Sequence, residues 1–228
     1  MTWRLLPAGE RAVLVEVDDL DAVLDLDATL TLLTTAGEHP WDAVVDRVPA
    51  ARTLLVTVRD PADLAAVSSG LRGVLAALGV HFEAAVLSPG RPKRRLEMHT
   101  GGDIEIPVTY DGPDLAEVAH LTGLTPDEVV SAHTGAPWRV GFGGFAPGFA
   151  YLVGGDPRLV VPRRPEPRTA VPPGSVGLAG EFSGIYPRSS PGGWQLIGRT
   201  DAVLWDADRP QPALLLPGAC VRFIESRP

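Results

Sequence analysis

Between Phe142 and Thr200 the chain carries 9 prolines and 12 glycines in 59 positions, and that density limits what it can become. Proline fixes φ and deletes a backbone donor, while glycine opens conformations closed to other residues. Long helices and uninterrupted strands do not fit such a run. Phe, Tyr, Trp, Leu and Val are interleaved through it, which separates it from a disordered linker. Two readings stay open: a tightly turned β core without a site, or a rigid, loop-built surface that binds something. We take the second as the working expectation.

The rest of the composition narrows the class. With 228 residues, 45% hydrophobic and 21% charged, the chain has material for one large or two modest soluble domains. A net charge of −8 argues against nonspecific nucleic-acid binding, although a local arginine cluster can still receive an anion. The single cysteine, Cys220 in LLLPGACVRF, has no internal disulfide partner and reads as a buried structural thiol. No run approaches 18 apolar residues, and MTWRLLPAGERAV lacks a signal-peptide core, so we expect a soluble, cytoplasmic protein without a membrane partner.

Periodicity divides the chain. Trp3–Leu6, Ala12–Val17, Val44–Val48 and Thr53–Val58 read as strands, and Asp19 to Thr35 as a helix ending at Gly37. Asp60-Pro61-Ala62-Asp63 opens a second helix, expected to stop at Gly79, and Phe82–Leu87 reads as a further strand. The order ββαββαβ predicts two helices on one face of a mixed sheet, a ferredoxin-like α/β domain over 1–88. Ser88–Gly102 holds Arg91, Lys93, Arg94 and Arg95, a solvated charge run, so 89–103 is taken as the linker. A second domain, 104–228, opens with a strand at Glu105–Tyr110. Two capping boxes follow, at Asp114–Glu117 and Thr125–Glu128, heading helices Leu115–Leu121 and Pro126–His133. From Trp138 onward, short strands between Gly/Pro turns, with Ala202–Trp205 and Ala219–Ile224 as late members, indicate a closed or nearly closed barrel. The fold class is α+β.

Several catalytic devices are missing: GxxxxGK[ST], HExxH, CxxC and GxSxG do not occur. Ser175 lies between glycines in PGSVG but lacks the nucleophile-elbow pattern; we keep it as a substrate contact. His120 and His133 close neighbouring helices, where an imidazolium complements the dipole. His133 is the better functional candidate, because it precedes the Gly/Pro-rich run. Arg163, Arg164 and Arg168, in PRRPEPRT, offer planar forks matched to carboxylate or phosphate on a proline-stiffened edge. At Gly192-Gly193-Trp194-Gln195, two residues without side chains precede an indole and an amide, so a ligand could approach the backbone over Trp194. Tyr186, Gln195 and Arg199 complete a polar set able to fix a small amide- or acid-bearing molecule. Asp156, Glu166 and Glu181 are the acids close enough in sequence to act as bases, and no pattern ranks them.

GFAPGFAYL (144–152), DPRL (156–159), PRRxxPRT (162–169), VPPGSVGLAG (171–180), GIYP (184–187) and SPGGWQLIGRT (190–200), preceded by GPDLAEVA (112–119) and SAHTG (131–135), together resemble the KipI/allophanate hydrolase subunit 1 family. Its members include the B-subunit of bacterial 5-oxoprolinase and subdomains C and D of the urea amidolyase carboxyltransferase domain. The resemblance is dense over about 104–225 and co-linear before that. It implies a cyclophilin-like barrel behind the N-terminal domain. It also implies a homologous partner, the C-subunit of the KipA/allophanate hydrolase subunit 2 type, together with a third component, the A-subunit. The activity implied is ATP-dependent opening of pyroglutamate to glutamate, with ATP and Mg serving at the level of the complex. An unstrained lactam is a poor electrophile, and phosphorylating its amide oxygen would activate it. Within AGxxxGIYP the family commonly has Gln-Thr where this chain has Phe182-Ser183, which bears on the substrate if that glutamine touches it.

Three readings compete. The first is one component of a multi-chain enzyme, acting on a small amide through His133, Arg168, Ser175, Tyr186, Gln195 and Arg199. The second is a KipI-type inhibitor of a sensor histidine kinase, which requires an exposed apolar patch instead of a polar pocket. The third, a prolyl isomerase, rests on fold analogy alone.

Overall fold

The computed structural model describes residues 2–86 and 104–226, and the chain divides into two compact units, Met1–Met98 and His99–Pro228. The linker basic cluster at Arg91–Arg95 lies outside the described residues. In the first unit, alternating β-branched and leucine residues form β1 (Trp3–Pro7), β2 (Ala12–Val17), β3 (Val44–Pro49) and β4 (Thr53–Val58). They pair antiparallel throughout, in the order β1-β2-β4-β3. The period-two pattern puts Val13, Val15 and Val17 beside Leu54, Val56 and Val58 on one buried face. Helix α1 (Leu20–Ala36) and helix α2 (Leu64–Val86) supply the covering residues, among them Val23, Leu26, Leu30, Val67, Leu71 and Leu75. Asp19 caps α1 by accepting from the Ala22 amide, and Gly37 ends it in the left-handed region.

Two expectations for this unit need correction. Phe82–Leu87 does not start a strand: α2 runs through Gly79 to Val86. One internal glycine costs a helix only about 1 kcal/mol, and no proline stops propagation before Val86. The sheet is consequently not mixed. Its edge beside β2, where the expected arrangement would place a strand after α2, is taken by β1. Among the described residues no helix is long and apolar enough to cross a membrane.

The second unit starts with β5 (Ile104–Val108), α3 (Leu115–Thr122) and α4 (Pro126–Gly135). Then follow β6 (Trp138–Gly143), β7 (Ala150–Val153), β8 (Arg168–Val171), β9 (Ser175–Ala179), β10 (Phe182–Ile185), β11 (Ser190–Gly192), β12 (Gln195–Arg199) and β13 (Cys220–Glu225). Seven of these strands form one sheet in the order β12-β9-β10-β7-β6-β13-β5, parallel only between β13 and β5, while β8 and β11 make a separate ribbon. The two ends of the large sheet meet, because Thr109 and Arg199 exchange backbone hydrogen bonds at 2.9 Å in both directions. The sheet is therefore a nearly closed barrel.

Each face has its own core. One cluster draws residues from all seven strands, including Val108, Val140, Leu152, Leu178, Ile185, Ile197 and Phe223, and must be the barrel interior. Val118 and Ala119 of α3 and Val129 and Ala132 of α4 join it. Cys220 is buried, as its apolar flanks suggest. The Thr125–Glu128 capping box forms with both of its hydrogen bonds. The one expected at Asp114 does not, and no side-chain cap heads α3. Ala202–Trp205 builds no strand and forms only an isolated bridge, Trp205 to Ala213, although Leu204 turns inward and Val203 and Trp205 stay exposed in the alternation of a strand.

The closing seam depends on a missing side chain. A Cβ on Gly112 would lie 2.3 Å from the Ile197 carbonyl carbon and 2.4 Å from the Leu196 oxygen, both rigid backbone. The Gly112 amide meanwhile donates to the Ile197 oxygen at 3.2 Å. Gly112→Ala should force the seam apart and destabilise the barrel by about 1–3 kcal/mol. Thermal unfolding would register this as a midpoint several degrees lower, at roughly 2–4 °C per kcal/mol for a chain of this size.

Candidate functional site

The outer face of β7, β9, β10 and β12 carries an aromatic layer. Phe149, Tyr186 and Trp194 are buried there, with Tyr151 and Phe182 half-buried against them. Phe149 meets Trp194 edge-on at 5.4 Å and Tyr186 at 5.3 Å, while Phe142 stacks on Tyr151 at 4.4 Å. Such edge-to-face and offset pairs add to the apolar burial. Glycine makes room for them: a Cβ on Gly192 would sit 2.3 Å from the Tyr186 hydroxyl. At the rim of this layer stands Phe145, 57% exposed. Its edge-on contacts are Phe149 at 5.4 Å and Tyr186 at 6.3 Å. Its φ of 67° lies in the left-handed region, where a bulky side chain costs about 1–3 kcal/mol.

Across the same surface runs the proline-rich strap 162–168. The Arg164 amide donates to the Gly193 oxygen at 2.8 Å, and Gln195 Nε2 to the Pro162 oxygen at 3.3 Å. Asp114 fastens the strap. Its Oδ1 accepts from Arg164 Nη1 at 2.8 Å and Arg168 Nη2 at 2.7 Å, and its Oδ2 from the Leu196 amide at 2.7 Å. Asp114 is only 3% exposed. Burial alone would raise its pKa, but hydrogen bonds from Arg168 and Leu196, with the charges of Arg168 and Arg164, outweigh it and hold the carboxyl below its usual range.

The polar residues singled out from the sequence do not converge on one pocket. Arg168, Tyr186 and Gln195 gather around the strap. Arg168 is committed to Asp114 and, at 3.4 Å, to the Trp194 oxygen. Tyr186 is 1% exposed, and burial raises its pKa against the opposing Trp194 backbone hydrogen bond and the charges of Arg163 and Arg168. Ser175 and Arg199 face each other in the β9–β12 register beside the seam. Ser175 is buried, and Arg199 Nε donates to Asp111 Oδ2 at 2.9 Å in the open. Asp156 pairs with its neighbour Arg158, while Glu166 and Glu181 are exposed.

His133 lies inside the barrel, fully buried and stacked on Phe223 at 4.2 Å. Its Nδ1 is 2.7 Å from the Tyr110 hydroxyl and its Nε2 2.9 Å from Ser183 Oγ. Burial drives its pKa down to about 3, so the ring is neutral at physiological pH. Burial, and then the Glu225 carboxylate, push the Tyr110 phenol up. A neutral ring satisfies all three groups in either tautomer: one ring nitrogen accepts from a hydroxyl while the other donates to the second. A depression of about 240 Å³ in the first unit, lined by Thr2, Trp3, Arg4, Glu16, Val17 and Arg52, shares no residue with the aromatic layer. Its Arg4 and Glu16 are already paired.

Residues 3–215 match the family described as carboxyltransferase domain, subdomain C and D. The chain belongs to this family. It is 38% identical to the B-subunit of the Escherichia coli O157:H7 5-oxoprolinase over 222 residues, covering 96% of this chain and 94% of that one. The solved structure of TTHA0988 superposes with a TM-score of 0.73 at 34% identity, over 96% of this chain but 41% of that longer one. The Kluyveromyces lactis urea amidolyase shares the fold, with a TM-score of 0.64 at 17% identity, over 98% of this chain and 15% of that one. In this carboxyltransferase-family member, Phe182 and Ser183 point to opposite faces: Phe182 joins the outer aromatic layer, and Ser183 meets His133 inside.

Two outcomes test the polar core of this subdomain. Asp114→Ala leaves two guanidinium groups without their carboxylate, and should cost about 3 kcal/mol of barrel stability in denaturant unfolding. For His133, the folded pKa lies below the unfolded value of about 6.5, so the unfolded chain binds the extra proton. The His133 contribution is complete above pH 6.5 and falls as pH drops toward 3. Between pH 7.5 and pH 5 it should weaken the fold by about 2 kcal/mol. A His133→Gln variant should lack that increment in paired denaturation curves.

Proposed function

We propose that this chain is the B-subunit of a 5-oxoprolinase-like complex, which hydrolyses 5-oxoproline (pyroglutamate) to glutamate, with consumption of ATP, together with an A-subunit and a C-subunit. The observation that carries this reading is the 38% identity to a 5-oxoprolinase B-subunit, spanning 96% of this chain and 94% of the relative. The net reaction adds water across the lactam C–N bond, leaving a carboxylate and an amine. The second unit is read as a cyclophilin-like barrel. The first is read as a ferredoxin-like plait in which β1 supplies the strand beside β2.

Among the described residues no group of three or more His, Cys, Asp or Glu is placed to hold a metal ion; magnesium held with a nucleotide needs only one or two carboxylates besides the phosphates. We assign ATP and Mg to the level of the complex. This chain would contribute a surface for the acid or the amide of the substrate. That the fold occurs as 41% and 15% of longer chains supports a module that works joined to others, with a homologous C-subunit, of the KipA type, as its neighbour.

A regulatory reading of the KipI type draws on one observation: the exposed ring of Phe145 beside an outer aromatic layer, where the polar set is largely satisfied internally. Co-purification with the two other components, followed by an assay of glutamate release from 5-oxoproline with and without ATP, separates the two. The enzyme reading expects turnover only when all three subunits and ATP are present. Absence of turnover from that mixture, with a histidine kinase inhibited by this chain alone, would replace it by the regulatory one.

A further inference from the structure

We propose that the Phe145 turn and the exposed side of the 203–205 segment form one docking surface on the barrel, and that its occupant is an apolar groove edged by basic side chains on the C-subunit. This rests on the subunit reading above and says which part of this chain makes that contact.

The two parts are held together through their backbones. Between β6 and β7 the chain turns tightly: the Gly144 amide donates to the Phe149 oxygen at 3.1 Å, and the Phe149 amide to the Ala146 oxygen at 3.0 Å. Gly148 of that turn lies against the second segment, since a Cβ there would sit 2.8 Å from Trp205 Cβ and 3.1 Å from the Leu204 oxygen. The second segment is braced in turn. The Leu214 amide donates to the Leu204 oxygen and the Asp206 amide to the Pro212 oxygen, both at 3.0 Å, and Arg209 Nη1 donates to the Val203 oxygen at 3.1 Å.

Large apolar side chains stand outward on this fixed backbone. Phe145 is 57% exposed, Val203 54% and Trp205 44%, and Pro147 is exposed beside them. Leu204 is buried between its two neighbours, so alternation turns Val203 and Trp205 to the same side. Single exposed apolar residues are ordinary, whereas a braced group of them marks an interaction site. Tryptophan and phenylalanine are also the residues that anchor protein interfaces. Phe145 keeps a φ of 67° as well, and backbone strain of this kind concentrates at functional positions.

The charges around Trp205 define what the groove must carry. Asp201, Asp206 and Asp208 share this segment, and Arg209 pairs with Asp206 at 3.2 Å. Asp201 and Asp208 are exposed and make no ion pair among the described residues. A groove with basic edges complements these two carboxylates. A second copy of this chain does not, because a two-fold contact would set the same acidic segment against itself. In TTHA0988 the module spans 41% of a longer chain, which fits a barrel that stays packed on a neighbour.

The test measures the affinity of the full chain for the purified C-subunit. Trp205→Ala and Phe145→Gly should each raise Kd about tenfold to a hundredfold, the loss expected on truncating an aromatic anchor. Glycine is at ease at a positive φ, so Phe145→Gly should leave the thermal midpoint of the free chain within about 2 °C. Asp201→Lys and Asp208→Lys should slow association about threefold to tenfold at low salt, and the effect should fade as salt is raised. Unchanged Kd in both aromatic variants, with turnover of 5-oxoproline intact in the wild-type complex, overturns the surface and leaves the functional reading standing. Weakened binding in those variants, without turnover by the wild-type complex, keeps the surface and removes the functional reading. Faster association of the lysine variants overturns the proposal, as does a wild-type chain that does not bind the C-subunit. A chain that is dimeric alone and becomes monomeric in Phe145→Gly assigns the surface to a second copy and overturns it too.

Discussion

A single buried carboxylate ties together segments that are far apart in the chain. Asp114 stands at the head of α3, beside the seam where β5 and β12 close the barrel. With three short hydrogen bonds it joins that seam to the strap at 164–168 and to the backbone of β12. Withdrawing a carboxylate from water is unfavourable, and it is tolerated here because two guanidinium groups and an amide replace the lost hydration. The pair of arginines leaves a positive excess on the strap after neutralisation. The same clamp holds Trp194, whose carbonyl accepts from Arg168 at 3.4 Å. The outer surface takes its shape from this one ionic contact, while the interior follows from apolar alternation.

That division explains which parts the residues disclose. Ala12–Val17 and Thr53–Val58 have the bounds their β-branched alternation indicates, because strand periodicity is a local property. The Thr125–Glu128 box forms for the same reason. Asp114-Leu115-Ala116-Glu117 carries an equally good local pattern, yet the aspartate bonds to residues 50 and 54 positions away. A tertiary competitor of that kind leaves no trace in a four-residue window. Arg168 has the chemistry of an anion receptor, but its counter-ion comes from the head of a distant helix. His133 stands near a helix end, where the dipole suggests a charged ring, and it faces the barrel interior as a neutral one. Phe145 escapes a reading built on polar side chains, although an aromatic within GGFAPG is the available signal.

The barrel strands carry two different chemistries on their two sides. Along β10, Phe182 and Gly184 face the aromatic layer, whereas Ser183 and Ile185 face the interior. The Phe182-Ser183 pair therefore acts in two places at once. Outside, a ring lies in the aromatic layer. Inside, a small hydroxyl meets the neutral His133 and completes the interior polar chain.

The parallel pairing of β5 with β13 has a consequence for how the barrel can be linked to other modules. Ile104 lies beside Val221 and Val108 beside Glu225, so first and last strands run in the same direction through the wall. The polypeptide enters at one rim and leaves at the opposite one, about 13 Å away at 3.3 Å per residue. A hairpin-closed barrel would return both connections to a single side. This one behaves as an in-line coupling: whatever follows residue 225 is delivered to the far rim, and long chains can thread through such a module without a return loop.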